Sequence, residues 1–245
     1  MKEKIYTIPI NEALEANSFC PFCYMHRVLE DDAIRYTVGP AMMESDFRII
    51  TNEKGFCQKH MSDLCAMSKA LPLSLVLQSH LDSVLALLDA DVSTSSKSIF
   101  KKSASPKADF AASLEMLTDS CTVCERIEHT FSRYISSFIY MLKKEKGFLD
   151  KILATEGFCM LHFSNLASAA AKELSDSEYQ KLFVPIIALQ KERISKYHTY
   201  ITNFANSFDY RNAFKPIEAP KDVIHKTGEL LNGEFVLKDK KLDDI

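Results

Sequence analysis

The sequence predicts an all-α protein made of two related helical repeats, each clamped by a Cys3His zinc site. Three observations support this class. Apolar residues recur at three- and four-residue steps over long stretches, a Cys/His pattern occurs once in each half, and the chain has only 6 glycines and no Trp. Average usage would give roughly 17 glycines, so a turn-rich β fold is disfavoured. Residues 4–9 are the only short candidate strand.

The helices follow from periodicity and capping residues. An apolar stretch after Pro72, residues 73–89, predicts one long helix. Ser175 and Glu178 form a capping-box pattern, which predicts the start of a second long helix. Pro185 kinks that helix or marks its first turns. The second half contains two apolar stripes. The stripe of residues 127–142 consists of Ile127, Phe131, Tyr134, Ile135, Phe138 and Leu142. The stripe of the long helix that follows Ser175 consists of Leu182, Ile186, Leu189, Ile194, Tyr197, Ile201 and Phe204.

The chain divides into four predicted segments. Residues 1–92 form the first helical zinc-binding repeat, and residues 108–214 form the second. Between them, residues 93–107 contain six serines and no sustained apolar period, which predicts a linker. Residues 215–245 contain a short amphipathic helix and a charged tail, and Gly233 after Asn232 ends that helix.

The two repeats share one spacing of metal-ligand residues. In the first repeat Cys20-x2-Cys23 is followed by Cys57-x2-His60, and the separation from Cys23 to Cys57 is 57 − 23 = 34 positions. In the second repeat Cys121-x2-Cys124 is followed by Cys159-x2-His162, and the separation from Cys124 to Cys159 is 159 − 124 = 35 positions. Gly and Phe stand before Cys57 and before Cys159. Three thiolates and one imidazole suit the closed tetrahedral shell of a structural zinc ion. We therefore expect two zinc ions, one per repeat, with no catalytic residue among their ligands.

The repeat register separates these ligands from other Cys and His residues. Cys65 falls opposite Ala167, which predicts a small core residue, and His26 falls opposite Ile127, which predicts packing. His129 falls opposite Val28, and the remaining histidines, His80, His198 and His225, have no ligand-spaced partners. An iron–sulfur cluster on three Cys and one His stays possible. A catalytic zinc would leave one coordination position open, whereas each repeat supplies four ligands.

Composition limits the partners and the compartment. A net charge of −3 gives no basic footprint, so nucleic acid is an unlikely partner and a protein is the expected one. The N-terminus lacks the apolar core of a signal peptide, and no apolar run approaches the roughly 18 residues of a bilayer span. Seven cysteines without a secretion signal indicate a reducing cytoplasm. The oligomeric state stays open.

The whole pattern resembles an uncharacterised bacterial family. The resemblance lies in the opening Ile5-Tyr6-Thr7-Ile8-Pro9-Ile10-Asn11-Glu12-Ala13, in the Cys-Pro-x-Cys and Gly-Phe-Cys-x2-His motifs, and in the late Asp209-Tyr210-Arg211. It covers most of the chain. It implies a cytosolic, bacterial setting and no activity, because the members are proteins of unknown function.

Three functions are compatible with these features. The favoured one is a zinc-stabilised helical scaffold that binds another protein. The first alternative is a thiol or metal sensor, in which oxidation or metal loss changes partner binding. The second alternative is an enzyme with no recognisable motif, and the sequence favours a non-enzymatic role over it.

Overall fold

The computed structural model describes residues 6–93, 106–212 and 218–235, and every regular element in these ranges is helical. The predicted all-α class is confirmed. The α-helices are α1 (Thr7–Glu15), α2 (Pro21–Thr37), α3 (Ser45–Lys54), α4 (Gln58–Ala66), α5 (Ala70–Ser93), α6 (Pro106–Asp119), α7 (Thr122–Lys144), α8 (Phe148–Leu153), α9 (Met160–Glu173), α10 (Asp176–Glu178), α11 (Val184–Ser207) and α12 (Val223–Asn232).

The expected strand at residues 4–9 is wrong in its described part, because α1 begins at Thr7. The residues that follow explain the helix. Ile10, Ala13 and Leu14 are buried at three- and four-residue steps, which is the spacing of one helix face. The apolar residues of the opening segment therefore continue into a helical pattern instead of alternating across a sheet.

Capping residues set the helix ends as expected. Ser175 and Glu178 form a complete capping box at the start of α10. A five-residue π-helical turn, Tyr179–Phe183, leads into α11. Pro185 lies in the first turn of α11, directly after the π-helical turn, so its missing N–H falls where the helical hydrogen-bond pattern changes. Gly233 ends α12 with a φ of +88°.

The chain forms two compact units. The first comprises Met1–Arg27 with Phe131–Ile245, and the second comprises Val28–Thr130. This division differs from the predicted repeat boundaries, since α2 and α7 each contribute residues to both units. The relationship between the two repeats stays a prediction. Most of the predicted linker, residues 94–105, and the tail beyond residue 235 lie outside the described residues.

An aromatic cluster forms the core of the first unit and fixes its ligand-bearing segments. The Phe22 ring is fully buried, and its centroid lies 5.8, 5.1 and 5.5 Å from those of Phe131, Phe138 and Phe158. These are ordinary separations for edge-to-face and tilted aromatic pairs. Phe22 precedes Cys23 and Phe158 precedes Cys159, so the same core packs the backbone on both sides of the candidate site.

The core of the second unit includes a ligand residue itself. Its buried members come from α2, α4, α5 and the start of α7, and Phe56 and Cys57 pack against them. These members are Ala33, Ile34, Val38, Leu64, Leu73, Cys121, Val123 and Ile127. The segments that carry Cys57 and Cys121 are therefore held by the same apolar packing.

One helix in the described part of the chain is long and apolar enough to cross a bilayer, judged by length and composition alone. It is the Ala70–Asp89 stretch of α5, with a mean hydropathy of 1.5 and 11% of the window buried. The sequence expectation concerned uninterrupted apolar runs, and none within α5 reaches 18 residues. Polar residues interrupt the apolar run in the sequence, but they are too few to lower the helix average.

Candidate metal centres

All eight predicted ligand residues come together in two groups of four. Site 1 comprises Cys20, Cys23, Cys159 and His162, all buried. Site 2 comprises Cys57, His60, Cys121 and Cys124, of which Cys124 is exposed and Cys57 is half-buried. In each group the ligand atoms lie within 4.8 Å of one another. Each group offers the three thiols and one imidazole that the sequence predicted.

The expected partition of the ligands, one set within each repeat, is wrong. Each site takes its Cys-x2-Cys pair from one predicted repeat and its Cys-x2-His pair from the other. Helix lengths are consistent with the difference. The 17 residues of α2 span about 25 Å and the 10 residues of α3 about 15 Å, so helices of unequal length separate the two ligand pairs of the first repeat. In the second half, the 23-residue α7 is followed by a six-residue α8.

Site 1 has the dimensions of a tetrahedral zinc shell. His162 Nδ1 lies 3.7, 3.3 and 3.2 Å from the sulfurs of Cys20, Cys23 and Cys159. The Cys23 and Cys159 sulfurs are 3.7 Å apart. Zn–S and Zn–N bonds of about 2.3 and 2.0 Å at tetrahedral angles give S–S and S–N edges of about 3.8 and 3.6 Å. The side chains therefore stand close to the corners that such an ion requires.

Site 2 has nearly the same dimensions. His60 Nδ1 lies 3.3, 3.3 and 3.2 Å from the sulfurs of Cys57, Cys121 and Cys124. The Cys57 and Cys124 sulfurs are 3.9 Å apart. Both sites thus present the imidazole through Nδ1 and close on themselves with four ligands, which leaves no coordination position for a substrate.

The Gly-Phe-Cys turn of site 1 is held from α11. Gly157 has a φ of +94°, and a Cβ there would lie 3.1 Å from Gln190 Oε1. The buried Gln190 amide accepts from Phe158 N–H at 3.1 Å and donates to its carbonyl oxygen at 2.9 Å. Glycine is required because the turn has a left-handed backbone and is approached closely by this amide. The clamp places Cys159 at the start of α9, where its sulfur accepts from His162 N–H.

The corresponding turn of site 2 is held by the start of α7. Gly55 has a φ of +63°, and its carbonyl oxygen accepts from both the N–H and the hydroxyl of Thr122, at 3.0 and 3.1 Å. Ser120 donates to the carbonyl oxygen of Lys54 at 2.8 Å. Thr122 follows Cys121 directly, so these bonds join the two ligand-bearing segments of site 2.

The end of α12 covers site 1. A Cβ on Gly233 would lie 3.6 Å from the Cys23 sulfur and 3.8 Å from the Cys159 sulfur. The next residue, Glu234, donates its backbone N–H to the Cys23 sulfur at 3.4 Å and pairs with Arg27 at 3.1 Å. Hydrogen bonds from backbone N–H groups stabilise thiolates, so the C-terminal segment completes the surroundings of this site.

A carboxylate orients the imidazole of site 2. Glu30, from α2, accepts from His60 Nε2 at 2.9 Å, and Lys59 pairs with the same carboxylate. The hydrogen bond with His60, followed by Lys59, lowers the pKa of Glu30 to about 2. Glu30, His60 and Asp63 also lie close enough to suggest a separate cation group. Because His60 Nδ1 faces the three sulfurs, we assign Glu30 to the outer shell of site 2.

A buried cation without a hydrogen-bond partner lies beside site 1. The Arg193 side chain is 3% exposed, all three of its guanidinium nitrogens lack a hydrogen-bond partner, and Glu156 is 4.0 Å away. The guanidinium carbon lies 4.0 Å from the centroid of the Phe19 ring. Burial lowers the pKa of Arg193, while the charges of Cys20 and Glu156 act in the opposite direction. A negative thiolate shell would compensate this charge.

The shifted pKa values at site 2 favour a cation bound between its sulfurs. Burial lowers the pKa of His60, but hydrogen bonds with Cys121 and Glu30 outweigh burial and raise it to about 10. Burial alone would raise the pKa of Cys121, yet His60 and nearby backbone N–H groups lower it to about 6. Burial and the neighbouring Cys121 raise the pKa of Cys124 to about 12. Three thiolates this close repel one another unless a cation lies between them.

The pKa values of the site 1 ligands are shifted in the same way. Burial opposes ionisation of Cys20, but hydrogen bonds with Cys159, Cys23 and His162 lower its pKa well below the ordinary value. Hydrogen bonds with Cys159 and Cys20, together with burial, raise the pKa of Cys23. Burial lowers the pKa of His162, but Cys159 and Cys20 outweigh it and raise this pKa to about 9. A divalent cation is what could hold all three sulfurs as thiolates.

The model of one protein family, described as a family of unknown function (DUF6062), matches residues 1–238. The chain belongs to this family. The resemblance stated from the sequence motifs is thereby confirmed. No curated protein and no solved structure matches the chain.

The remaining Cys and His residues of this DUF6062 member lie outside both sites. His26 packs against the rings of Phe131 and His162, as its register predicted. Cys65 was expected in the core, but it is exposed on α4. His80 lies against Gly55 and hydrogen-bonds the Asn52 carbonyl oxygen at 3.0 Å. The other three, His129, His198 and His225, join neither group of ligands.

Sequence reasoning missed four residues that support the sites: Glu30, Gln190, Arg193 and Gly233. Glu30 and Arg193 are charged residues on amphipathic helices, where a solvated position is the usual one. Gly233 gave a signal, since a glycine after a helix predicts a left-handed cap, but nothing in the sequence indicates which surface that cap approaches.

Proposed function

We propose that each site binds one structural Zn²⁺ and that the two ions stabilise a helical scaffold for binding a partner protein in a reducing cytoplasm. The observation that carries the metal assignment is the pair of closed Cys3His groups with tetrahedral edge lengths. Thiolate and imidazole ligands in that geometry suit zinc above the harder divalent cations. When bound, the ion would supply ligand-to-metal bonds that link segments far apart in sequence.

Metal analysis tests the assignment. Full-length protein purified under reducing conditions is expected to contain two zinc ions per chain, because each site offers four ligands and no open position. Inductively coupled plasma mass spectrometry with a protein assay gives the ratio. Iron with visible absorption, or a ratio near zero, would contradict it. Addition of a chelator should then remove both ions and reduce helical circular dichroism.

A thiol sensor is the second candidate, and the difference in exposure between the sites favours it. All four ligands of site 1 are buried, whereas at site 2 Cys124 is exposed and Cys57 half-buried, with their sulfurs 3.9 Å apart. A hydroperoxide could take two electrons from these two thiolates. An S–S bond would form, the peroxide O–O bond would break to give water or hydroxide, and the ion would leave.

Peroxide titration separates the sensor from a purely structural role. With about one equivalent of hydrogen peroxide, we expect release of one zinc ion and a Cys57–Cys124 disulfide, because only site 2 exposes a sulfur. A colorimetric chelator follows the release, and peptide mapping identifies the disulfide. The unfolded chain serves as the control for intrinsic reactivity. Simultaneous loss of both ions, or earlier loss from site 1, contradicts a sensor at site 2.

The enzyme alternative gains little support. An open groove of about 420 Å³ lies between α3, α5 and α6. It is lined by Asn52, Glu53, Ser83, Leu87, Ser113, Met116 and Leu117. The lining has one carboxylate and no Cys or His, and none of its residues is a proposed metal ligand. General acid–base or nucleophilic chemistry needs paired functional groups, so this groove offers no argument for catalysis.

A further inference from the structure

α5 has two distinct faces. One face packs into the core of the second unit through Leu73 and Val76, which are 8% and 0% exposed. The other face is open to solvent and carries Leu71, Leu81, Leu85 and Leu88, which are 68, 59, 57 and 41% exposed. Soluble proteins rarely expose several large aliphatic side chains along one helix face without a partner for them.

The exposed leucines follow a heptad pattern. Positions 71, 74, 78, 81, 85 and 88 are spaced by alternating steps of three and four residues, and all six are exposed. Ser74 and Gln78 fill the two positions of this stripe that are not leucine. Alternating steps of this kind define the a and d positions of a two-stranded coiled coil. The stripe is thus shaped for one further helix.

We propose that this stripe is a homodimer interface, in which α5 of one copy packs antiparallel against α5 of a second copy. A two-fold axis midway between positions 79 and 80 places Leu71 opposite Leu88, Ser74 opposite Leu85, and Gln78 opposite Leu81. Every layer then joins an a position to a d position, as antiparallel coiled coils do. Each smaller or polar side chain faces a leucine, and the surface is self-complementary, as a two-fold interface requires.

Charge and geometry favour a second copy over other occupants. Residues 70–89 contain no Lys or Arg and two aspartates, Asp82 and Asp89, so the helix lacks the basic residues that draw amphipathic helices to anionic lipid. The antiparallel register places Asp82 opposite position 77 and Asp89 opposite position 70, so no acid faces an acid. A parallel register would pair leucine with leucine in four layers but stack Gln78 on Gln78 and Ser74 on Ser74, whereas the antiparallel register leaves no layer without a leucine.

The interface is small, which favours a weak and reversible dimer. A seam of 17 residue steps is about 26 Å long and one helix, about 10 Å, wide. It covers on the order of 500 Å² of accessible surface per copy, near the lower end for specific protein interfaces. We therefore expect a reversible dimer with a dissociation constant on the order of 1–100 μM.

Sedimentation of the metal-loaded full chain tests the proposal. The wild-type protein should shift from 27.8 kDa monomer toward dimer as its concentration rises from about 1 to 200 μM. The double substitution Leu81→Lys and Leu85→Lys places charges in the central layers and should weaken the dimer at least about 30-fold. Ile8→Lys, at a 64% exposed position of α1, is the matched control and should leave the dimer unchanged.

Photo-cross-linking tests the register without relying on the lysine variants. Benzoylphenylalanine at position 71 should cross-link to the α5 segment around Leu88 of the other copy. A cross-link to the segment around Leu71 would overturn the antiparallel pairing. A wild-type monomer at all concentrations, or a dimer unaffected by the two lysines, would overturn the interface. A monomer that floats with neutral lipid vesicles only when Leu81 and Leu85 are intact would assign the stripe to lipid.

Discussion

Cys159→Ser is expected to remove the ion of site 1 and to unfold most of the first unit while leaving the second intact. Cys159 is fully buried and also caps α9 through its sulfur. Serine is a poor ligand for zinc, and the remaining buried thiols and imidazole would lose their common partner. A structural zinc ion contributes roughly 10–16 kcal/mol in small zinc domains, against a net domain stability of roughly 5–15 kcal/mol.

The measurement distinguishes the crossed sites from the partition expected by sequence. Metal analysis should give one zinc per chain in place of two. Brief alkylation should then label Cys20 and Cys23, because they share site 1 with Cys159. Ligands paired within a repeat would instead expose Cys121 and Cys124. Cys65→Ser, on the exposed face of α4, is the control and should keep both ions with a stability change within about 0.5 kcal/mol.

Arg193→Met is expected to destabilise the metal-loaded protein more than the metal-free protein. A Cys3His shell with Zn²⁺ carries a net charge of −1, and Arg193 is the buried cation beside it. Removing one member of a buried charge pair costs about 3–5 kcal/mol, so the loaded protein should lose stability on this scale. In the metal-free protein the lowered pKa of Cys20 leaves one thiolate, which the raised pKa of His162 offsets with a protonated imidazole, so Arg193 has less negative charge to compensate and Met should cost less.

Urea unfolding with and without a chelator measures both effects. Arg126→Met is the matched control, since the Arg126 guanidinium also lies 4.0 Å from an aromatic ring, that of Tyr36, but is exposed. It should change stability little in either state. If Arg193→Met destabilised the loaded and the metal-free protein equally, the role of Arg193 would lie in its packing against Phe19, and the charge compensation would be wrong.

The ligands could be predicted from the sequence, but their grouping could not. The repeated spacing identifies Cys20 and Cys121 as equivalent positions. It does not specify whether each Cys-x2-Cys pair shares an ion with the Cys-x2-His pair of its own repeat or with that of the other repeat. The distinction depends on helix lengths. α2 has 17 residues and α3 has 10, and although Gly39-Pro40 marks a boundary between them, the sequence does not specify in which direction α3 runs. The all-α class was predictable because helical periodicity is local.

The long helix α11 shows where apolar periodicity misleads. The stripe predicted for its buried side contains only aliphatic and aromatic residues, and Ile186 is indeed buried. Gln190 and Arg193, at 3% and 5% exposure, are also among its most buried residues. Each is buried because of the metal site: Gln190 holds the Phe158 backbone, and Arg193 lies near the thiolates. Apolar periodicity identifies hydrophobic residues on a helix face. It cannot predict polar residues that are buried because they contact a specific partner.

The crossed ligand sets also impose an order on biosynthesis. Site 2 is complete once the ribosome has released residue 124, but site 1 joins Cys23 to a cysteine 159 − 23 = 136 positions later. At translation rates of about 5–20 residues per second, Cys20 and Cys23 wait about 7 to 27 seconds for their partners. The contact from Glu234 to Cys23 forms only after residue 234 has emerged. A nascent chain that stalls between these points would carry one complete ligand set and one open cysteine pair.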